Sequence, residues 1–183
     1  KRSILKQIKS KRTEVIKGAG VGVDCAIFAS SDHSFTAICT QTFSLLHEDI
    51  TKTALDSVMN NLVTSGAKPL GVQVGLFLTE QTYESELQTI MKQLNEACTT
   101  YNIQILGGST QVVAGAKNIL LSLTGVGLLS EPSQLSVKHI SKDMDLIVSK
   151  WIGLKGSWLL ARYGKEQLEE RFSPRFLSKL EEY

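Results

Sequence analysis

Proline is scarce in this chain. The 183 residues hold three, Pro69, Pro132 and Pro174. Helices and strands can therefore run long, because few positions lack the backbone N–H that both need. Aromatic residues are also few, at 7%. Neither sign of charge is in excess: 20 basic and 18 acidic side chains leave a formal net charge of +2. That gives no general electrostatic attraction to nucleic acid or to a membrane surface, and neither is expected as a partner. No apolar run reaches the roughly 18 residues of a membrane-crossing helix. The three cysteines, Cys25, Cys39 and Cys98, are odd in number and far apart. They make neither a disulfide framework nor a CxxC metal motif. Each lies in an apolar segment, so buried free thiols and a reducing, cytoplasmic setting are expected. His33, His47 and His139 show no ligand pair or triad.

What is present suits a globular chain with a core: 42% hydrophobic and 21% charged residues. The opening Lys1-Arg2-Ser3-Ile4 reads as a trimmed start. Residues 1–13 are basic, and Ile4, Leu5 and Ile8 fall at helical spacing. A short helix with a solvated basic face fits them, as does a basic flap over an anionic ligand. Gly18, Gly20 and Gly22 then alternate before Asp24. Such a backbone can approach a ligand closely, although a plain tight turn would look the same. It is not a dinucleotide fingerprint, because the spacing is G-x-G-x-G and no helix follows.

Residues 25–42 read as a β-hairpin about the polar turn Ser31-Asp32-His33-Ser34. Asp49 or Thr51 can cap the next helix. Its apolar face is Ile50, Ala54, Leu55, Val58 and Leu62. That helix ends in Asn60-Asn61, then Gly66-Ala67-Lys68-Pro69. Glycine supplies the left-handed exit and proline blocks continuation. Two amides there are poor helix formers, which hints at a role beyond helix propensity. Lys68 fits the negative end of the helix dipole or a phosphate contact. Leu70–Leu78 reads as an apolar strand covered on both faces. Tyr83–Tyr101 reads as a helix and 102–106 as a strand. Gly107-Gly108-Ser109-Thr110 reads as a glycine-rich turn, and Lys117–Leu129 as a long strand. The order argues an α+β domain of mixed α/β layers, a mixed sheet packed by helices. Residues 1–130 form that domain, 131–144 a linker, and 145–183 the incomplete opening of a C-terminal α/β domain. There Asp145–Trp151 reads as a strand, Trp151 and Trp158 as packing residues, and Ser173-Pro174 as the start of a last helix.

Taken together, several motifs resemble the AIR (aminoimidazole ribonucleotide) synthase superfamily, with its PurM-like fold. They are Gly18-x-Gly20-x-Gly22-x-Asp24-x-Ala26, Asn60-Asn61-Leu62 with Gly66-Ala67-Lys68-Pro69, and Gly107-Gly108-Ser109-Thr110. The chain looks most like the AIR synthase-related, HypE-type proteins of hydrogenase maturation. The resemblance implies an N-terminal ATP-binding domain and a homodimer whose N-terminal sheets pair. It also implies a maturation-protein partner and ATP-dependent phosphoryl-transfer, ligase or dehydratase-type chemistry. It places nucleotide or phosphate at Gly18, Gly20, Gly22, Asp24, Asn60, Asn61, Lys68, Gly107, Gly108, Ser109 and Thr110. Family carboxylates stand where this chain has Gln41, Asn61 and Ser109, and Asp24 alone keeps its acid. Mg²⁺ is bound chiefly through carboxylates and phosphate oxygens. The metal positions Asp24, Gln41 and Asn61 thus read as a degraded site with weak or absent metal-dependent ATPase activity. A non-catalytic homodimeric scaffold is the alternative.

Overall fold

The computed structural model describes residues 2–31, 34–45, 50–131, 141–145, 147–148 and 150–181. They fall into two compact units, Lys1–Ile140 and Ser141–Tyr183.

In the first unit, apolar residues at helical spacing make α2 (Ile50–Thr64), after a short α1 (Arg2–Leu5). Ala54, Leu55, Val58 and Leu62 on α2 are all fully buried, as their spacing requires. Its exit is a Schellman motif. Gly66 has φ +83°, its N–H donates to Val63 O at 2.9 Å, and Ala67 N–H donates to Leu62 O at 3.1 Å. The expected N-terminal helix shrinks to the four residues of α1. Ile4 and Ile8 stay exposed, and an isolated turn without packing does not propagate.

Six strands form one mixed sheet: β1 (Val15–Lys17), β2 (Ala26–Ser31), β3 (Ser34–Ser44), β4 (Lys68–Leu78), β5 (Gln104–Val112) and β6 (Leu120–Leu129). Their order is β1-β2-β3-β6-β4-β5. The β4–β5 pair is parallel and joined through α3 (Glu84–Thr100); the other pairs are antiparallel. Pro69 is tolerated because β4 there pairs with β6 alone; β5 joins only at Gly71.

Both long helices pack on one face of the sheet. That face carries Ala37, Cys39, Val72, Val74, Leu76, Leu121 and Leu123, buried against Leu55, Leu62 and Leu94. Gly125 lies directly under α2: an added Cβ would run into Val58 Cγ1 and sit 3.0 Å from Leu62 Cδ1. Glycine therefore sets how closely the helix approaches. Leu70–Leu78 was expected to be covered on both faces, but it alternates. Val72, Val74, Leu76 and Leu78 are buried, while Leu70 and Gln73 are exposed. No described helix of this unit packs on the second face.

The Gly107–Thr110 stretch is not a turn. It is the interior of edge strand β5, which runs unbroken from Gln104 to Val112. Ile105 pairs with Val72 and Gly107 with Gln73, so Leu106 is an extra, bulged residue. Gly107 (φ +143°) and Gly108 (φ +157°) take up the distortion. A Cβ on Gly108 would collide with the backbone of Val74. The glycines serve strand packing where the sequence pattern resembles a turn.

The second unit holds α4 (Leu154–Tyr163), α5 (Lys165–Glu169) and α6 (Pro174–Glu181). Ser173 caps α6 as expected, its Oγ accepting Phe176 N–H at 3.4 Å. Ala161 and Leu177 are its buried residues. Among the described residues of 145–151 none is in a strand, and Trp151 is 73% exposed rather than packed. A strand needs a neighbour for its backbone groups, and no described strand pairs with this segment. Trp158 does pack, edge-on to Tyr163 at 6.2 Å. Asp32, His33, His47, Asp49, His139 and most of the expected linker 131–144 lie outside the described residues.

Candidate functional site

The glycine-rich loop 18–24 links β1 to β2, and only Gly22 in it has a left-handed φ, +74°. Asp24 at its end is exposed. One contact ties this loop to the helix that carries the two amides. The Cys25 thiol donates to the backbone oxygen of Asn61 at 3.0 Å. Two residues into the hairpin's second strand from Ala37, Cys39 donates to Val58 O at 3.7 Å, one turn earlier on α2. Thr64 Oγ1 donates to Asn60 O at 2.8 Å and to Asn61 O at 3.1 Å, and Ser65 Oγ to Leu62 O at 2.6 Å. Side-chain donors thus stabilise the last turn of α2, where the helix carbonyls run out of partners. Asn60 is exposed and Asn61 half-buried.

Electrostatics tie the same residues together. The neighbouring Cys39 thiol is the chief influence that holds the Cys25 thiol below its usual pKa. Lys17 also lowers it, against burial and the nearby Asp24 carboxylate. The Cys39 thiol is pushed well up by the adjacent Cys25 sulfur, with burial and the charge of that neighbour adding to this.

Gln41 lies two residues beyond Cys39 on β3 and shares its helix-facing side, half-buried, in register with Leu123 and Val74. So the loop 18–24, Gln41 and the Asn60-Asn61 turn belong to one side of the sheet. Gly107, Gly108, Ser109 and Thr110 do not join them. Strand β5 is three strands from β3, roughly 14 Å at the usual spacing. Ser109 pairs with Gly75, in register with Ser122 and Thr42 on the uncovered face. Lys68 is exposed at the first residue of β4. Sequence spacing could not show this division, because it depends on which strands β6 separates.

The uncovered face has its own pattern. Thr40 and Thr124 hydroxyls meet at 2.9 Å, and Thr42 donates to Ser122 at 3.0 Å. This hydroxyl stripe is bordered by Leu70, Leu120 and Leu128, exposed at 47%, 38% and 48%. A separate cleft of ≈ 620 Å³ opens at the far end of the sheet, where β4 ends and β6 begins. It is lined by Leu45, Thr79, Thr82, Glu86, Lys117 and Asn118 among others, and by none of the residues singled out from sequence. Glu86 already fills the α3 N-terminus, accepting Tyr83 N–H at 2.8 Å. Among the described residues no three His, Cys, Asp or Glu side chains are grouped to hold a metal ion.

A mixed sheet in this strand order, with two helices on one face, defines a PurM-like domain. Residues 16–129 match the family model "AIR synthase related protein, N-terminal domain", and the chain belongs to that family. It is 31% identical, over 117 residues, to a putative hydrogenase expression/formation protein of Methanocaldococcus jannaschii. That match covers 63% of this chain and 35% of the relative, so the chain spans about a third of that protein's length. Among solved structures, the HypE–HypF complex superposes with a TM-score of 0.57 at 22% identity, covering 71% of this chain and 42% of the other. A ThiL protein complexed with AMPPCP and TMP superposes with a TM-score of 0.69 at 18% identity, covering 98% and 55%. At these identities the two structures speak for the fold alone.

Proposed function

We propose that this chain is the nucleotide-binding part of a HypE-like protein, and that its site is completed by a second copy. The observation that carries this reading is the Cys25–Asn61 contact, which fastens the glycine-rich loop to the amide-bearing turn of α2. The loop's backbone N–H groups hold the phosphates, as successive N–H groups in such loops do. Asn60 and Asn61 stand at the end of α2 to contact them, whereas Lys68 pairs with Leu128 on the uncovered face. Gly107 to Thr110 lie on another strand, and Ser109 faces away from this group. Ser109, on the uncovered face, reaches a nucleotide only if the uncovered faces of two sheets pair. The exposed leucines around the hydroxyl stripe support such pairing, because burying them removes apolar surface from water. The ThiL relative's AMPPCP complex supports ATP as the nucleotide, and the HypE–HypF complex supports a maturation protein as partner.

The donor set does not fit a tightly held Mg²⁺. Asp24 is the single carboxylate; Gln41 and Asn61 offer neutral amide oxygens, and Mg²⁺ gives up its waters reluctantly. Nucleotide is therefore held by backbone and amide groups, with little dependence on the metal. A non-catalytic scaffold that keeps the fold and the pairing is the second reading, favoured by the same loss of acids.

Titration calorimetry with ATP, with and without Mg²⁺, tests this. Saturable binding of similar strength in both buffers is expected. Absence of binding at millimolar ATP would leave the scaffold reading alone. The triple variant Gln41→Asp, Asn61→Asp, Ser109→Asp should bind Mg²⁺ more tightly than the parent. Metal binding that stays undetectable there would show that these residues do not share a site.

A further inference from the structure

We propose that Cys25 and Cys39 form a reversible cross-strand dithiol/disulfide pair that latches the glycine-rich loop to α2 when reduced and unlatches it when oxidised. The β2–β3 register pairs Ala26 with Ile38, Ile27 with Ala37 and Phe28 with Thr36. One further step sets Cys25 opposite Cys39. The side chains agree with this register, since both thiols turn to the same helix, Cys25 to Asn61 O and Cys39 to Val58 O one turn earlier. Directly opposed residues in an antiparallel pair have Cα atoms about 4.5 or 5.5 Å apart. Both values lie within the range a disulfide spans.

Each thiol donates to α2, Cys25 to Asn61 O and Cys39 to Val58 O. Both bonds join the hairpin to the helix. Forming an S–S bond removes both donors together. The step balances with a small disulfide as oxidant. The Cys25 thiolate attacks RSSR and releases one RSH; the Cys39 sulfur then displaces the second RSH and closes the protein disulfide. Two protein thiols are oxidised and one small disulfide is reduced.

Both sulfurs are buried, so exchange needs a local opening. The fold offers one at this edge. The three-residue β1 is a short edge strand with an irregular register, its Val15 and Ile16 are exposed, and the loop behind it is largely exposed. Opening at such an edge costs far less than global unfolding. Cys98 is buried on α3 and does not belong to the hairpin. The proposal does not depend on whether a nucleotide binds.

The test is to incubate the folded chain in graded mixtures of reduced and oxidised glutathione, quench in acid, alkylate and map the peptides. With oxidised glutathione in excess, a Cys25–Cys39 disulfide should appear and be reversed by dithiothreitol. Cys98 should remain a thiol until denaturant is added. Trypsin cleavage after Lys17 should rise about threefold or more in the oxidised form, as the loop opens. Cys39→Ser should stop the reaction at a Cys25–glutathione mixed disulfide. If that variant does not fold, Cys98→Ser serves instead, and oxidation there should match the parent. Cys25 and Cys39 remaining thiols in the folded chain, or either pairing with Cys98, overturns the proposal. A disulfide that forms with unchanged cleavage at Lys17 overturns the unlatching.

Discussion

The two faces of the six-stranded sheet are built from the same strands and have opposite fates. On one face Val72, Leu121 and Leu123 meet Leu55, Leu62 and Leu94, all fully buried. On the other, Thr40, Thr42, Ser122 and Thr124 form a hydroxyl stripe with exposed leucines around it. The alternation along each strand produces both, since successive side chains point to opposite faces. The first face is finished within the chain. The second combines self-satisfied hydroxyls with leucine surface that remains exposed.

The sharpest way to break this comparison is to make matched truncations on the two faces. Leu62→Ala empties a fully buried site under α2 and should cost about 3 kcal/mol. Leu128→Ala, at 48% exposure, should cost less than about 1 kcal/mol in dilute monomer. Urea unfolding of both variants reads the difference. Equal losses would mean that the uncovered face is already buried in solution.

A smaller effect sharpens the second face alone. Leu128→Asp places a charge where the sheets are proposed to pair, and burying an unpaired charge is costly. Sedimentation should show self-association weakened about tenfold or more, with circular dichroism unchanged. Self-association that survives the substitution would move the interface elsewhere.

The smallest effect lies between the two helices on the covered face. Tyr101 donates to Asp56 Oδ1 at 2.6 Å, joining the end of α3 to α2. Burial, then the hydrogen bond and charge of Asp56, push the phenol up to about 12. A raised phenol contributes stability that is intact below its ordinary value of 10.0 and is lost as pH climbs towards about 12. At an exposed pair the contribution is about 1 kcal/mol or less. Tyr101→Phe should therefore lower the melting temperature slightly at pH 8 and flatten its decline between pH 10 and 12. An unchanged pH profile in Tyr101→Phe would show that the bond carries no stability.

Much of the covered face was legible in the sequence. The three- and four-residue spacing of Ala54, Leu55, Val58 and Leu62 marks α2 and its buried side, because one helical face repeats at that interval. Gly66 announced the helix exit because only a residue without a Cβ takes its φ without strain. Gly107-Gly108 was misread for the same property. Glycine permits a turn, but here it lets an edge strand lie hard against Val74. The apolar run at 145–151 looked like a strand from composition, yet pairing decides a strand and this segment has no described partner.

For the candidate site, residue order sets the chemistry on offer: glycines at 18, 20 and 22, a single acid at Asp24, and amides or a hydroxyl at Gln41, Asn61 and Ser109. Which of these groups meet depends on strand register. Ser31 pairs with Ser34, a register that carried down the hairpin would set Cys25 opposite Thr40. An irregularity between Ala29 and Ser31 shifts it by one residue, and the Ala26–Ile38 register continued one step sets Cys25 opposite Cys39. A slip of one residue exchanges the faces of a strand. That is the physical reason a pair of thiols, and the loop they hold against α2, exist only in the folded sheet.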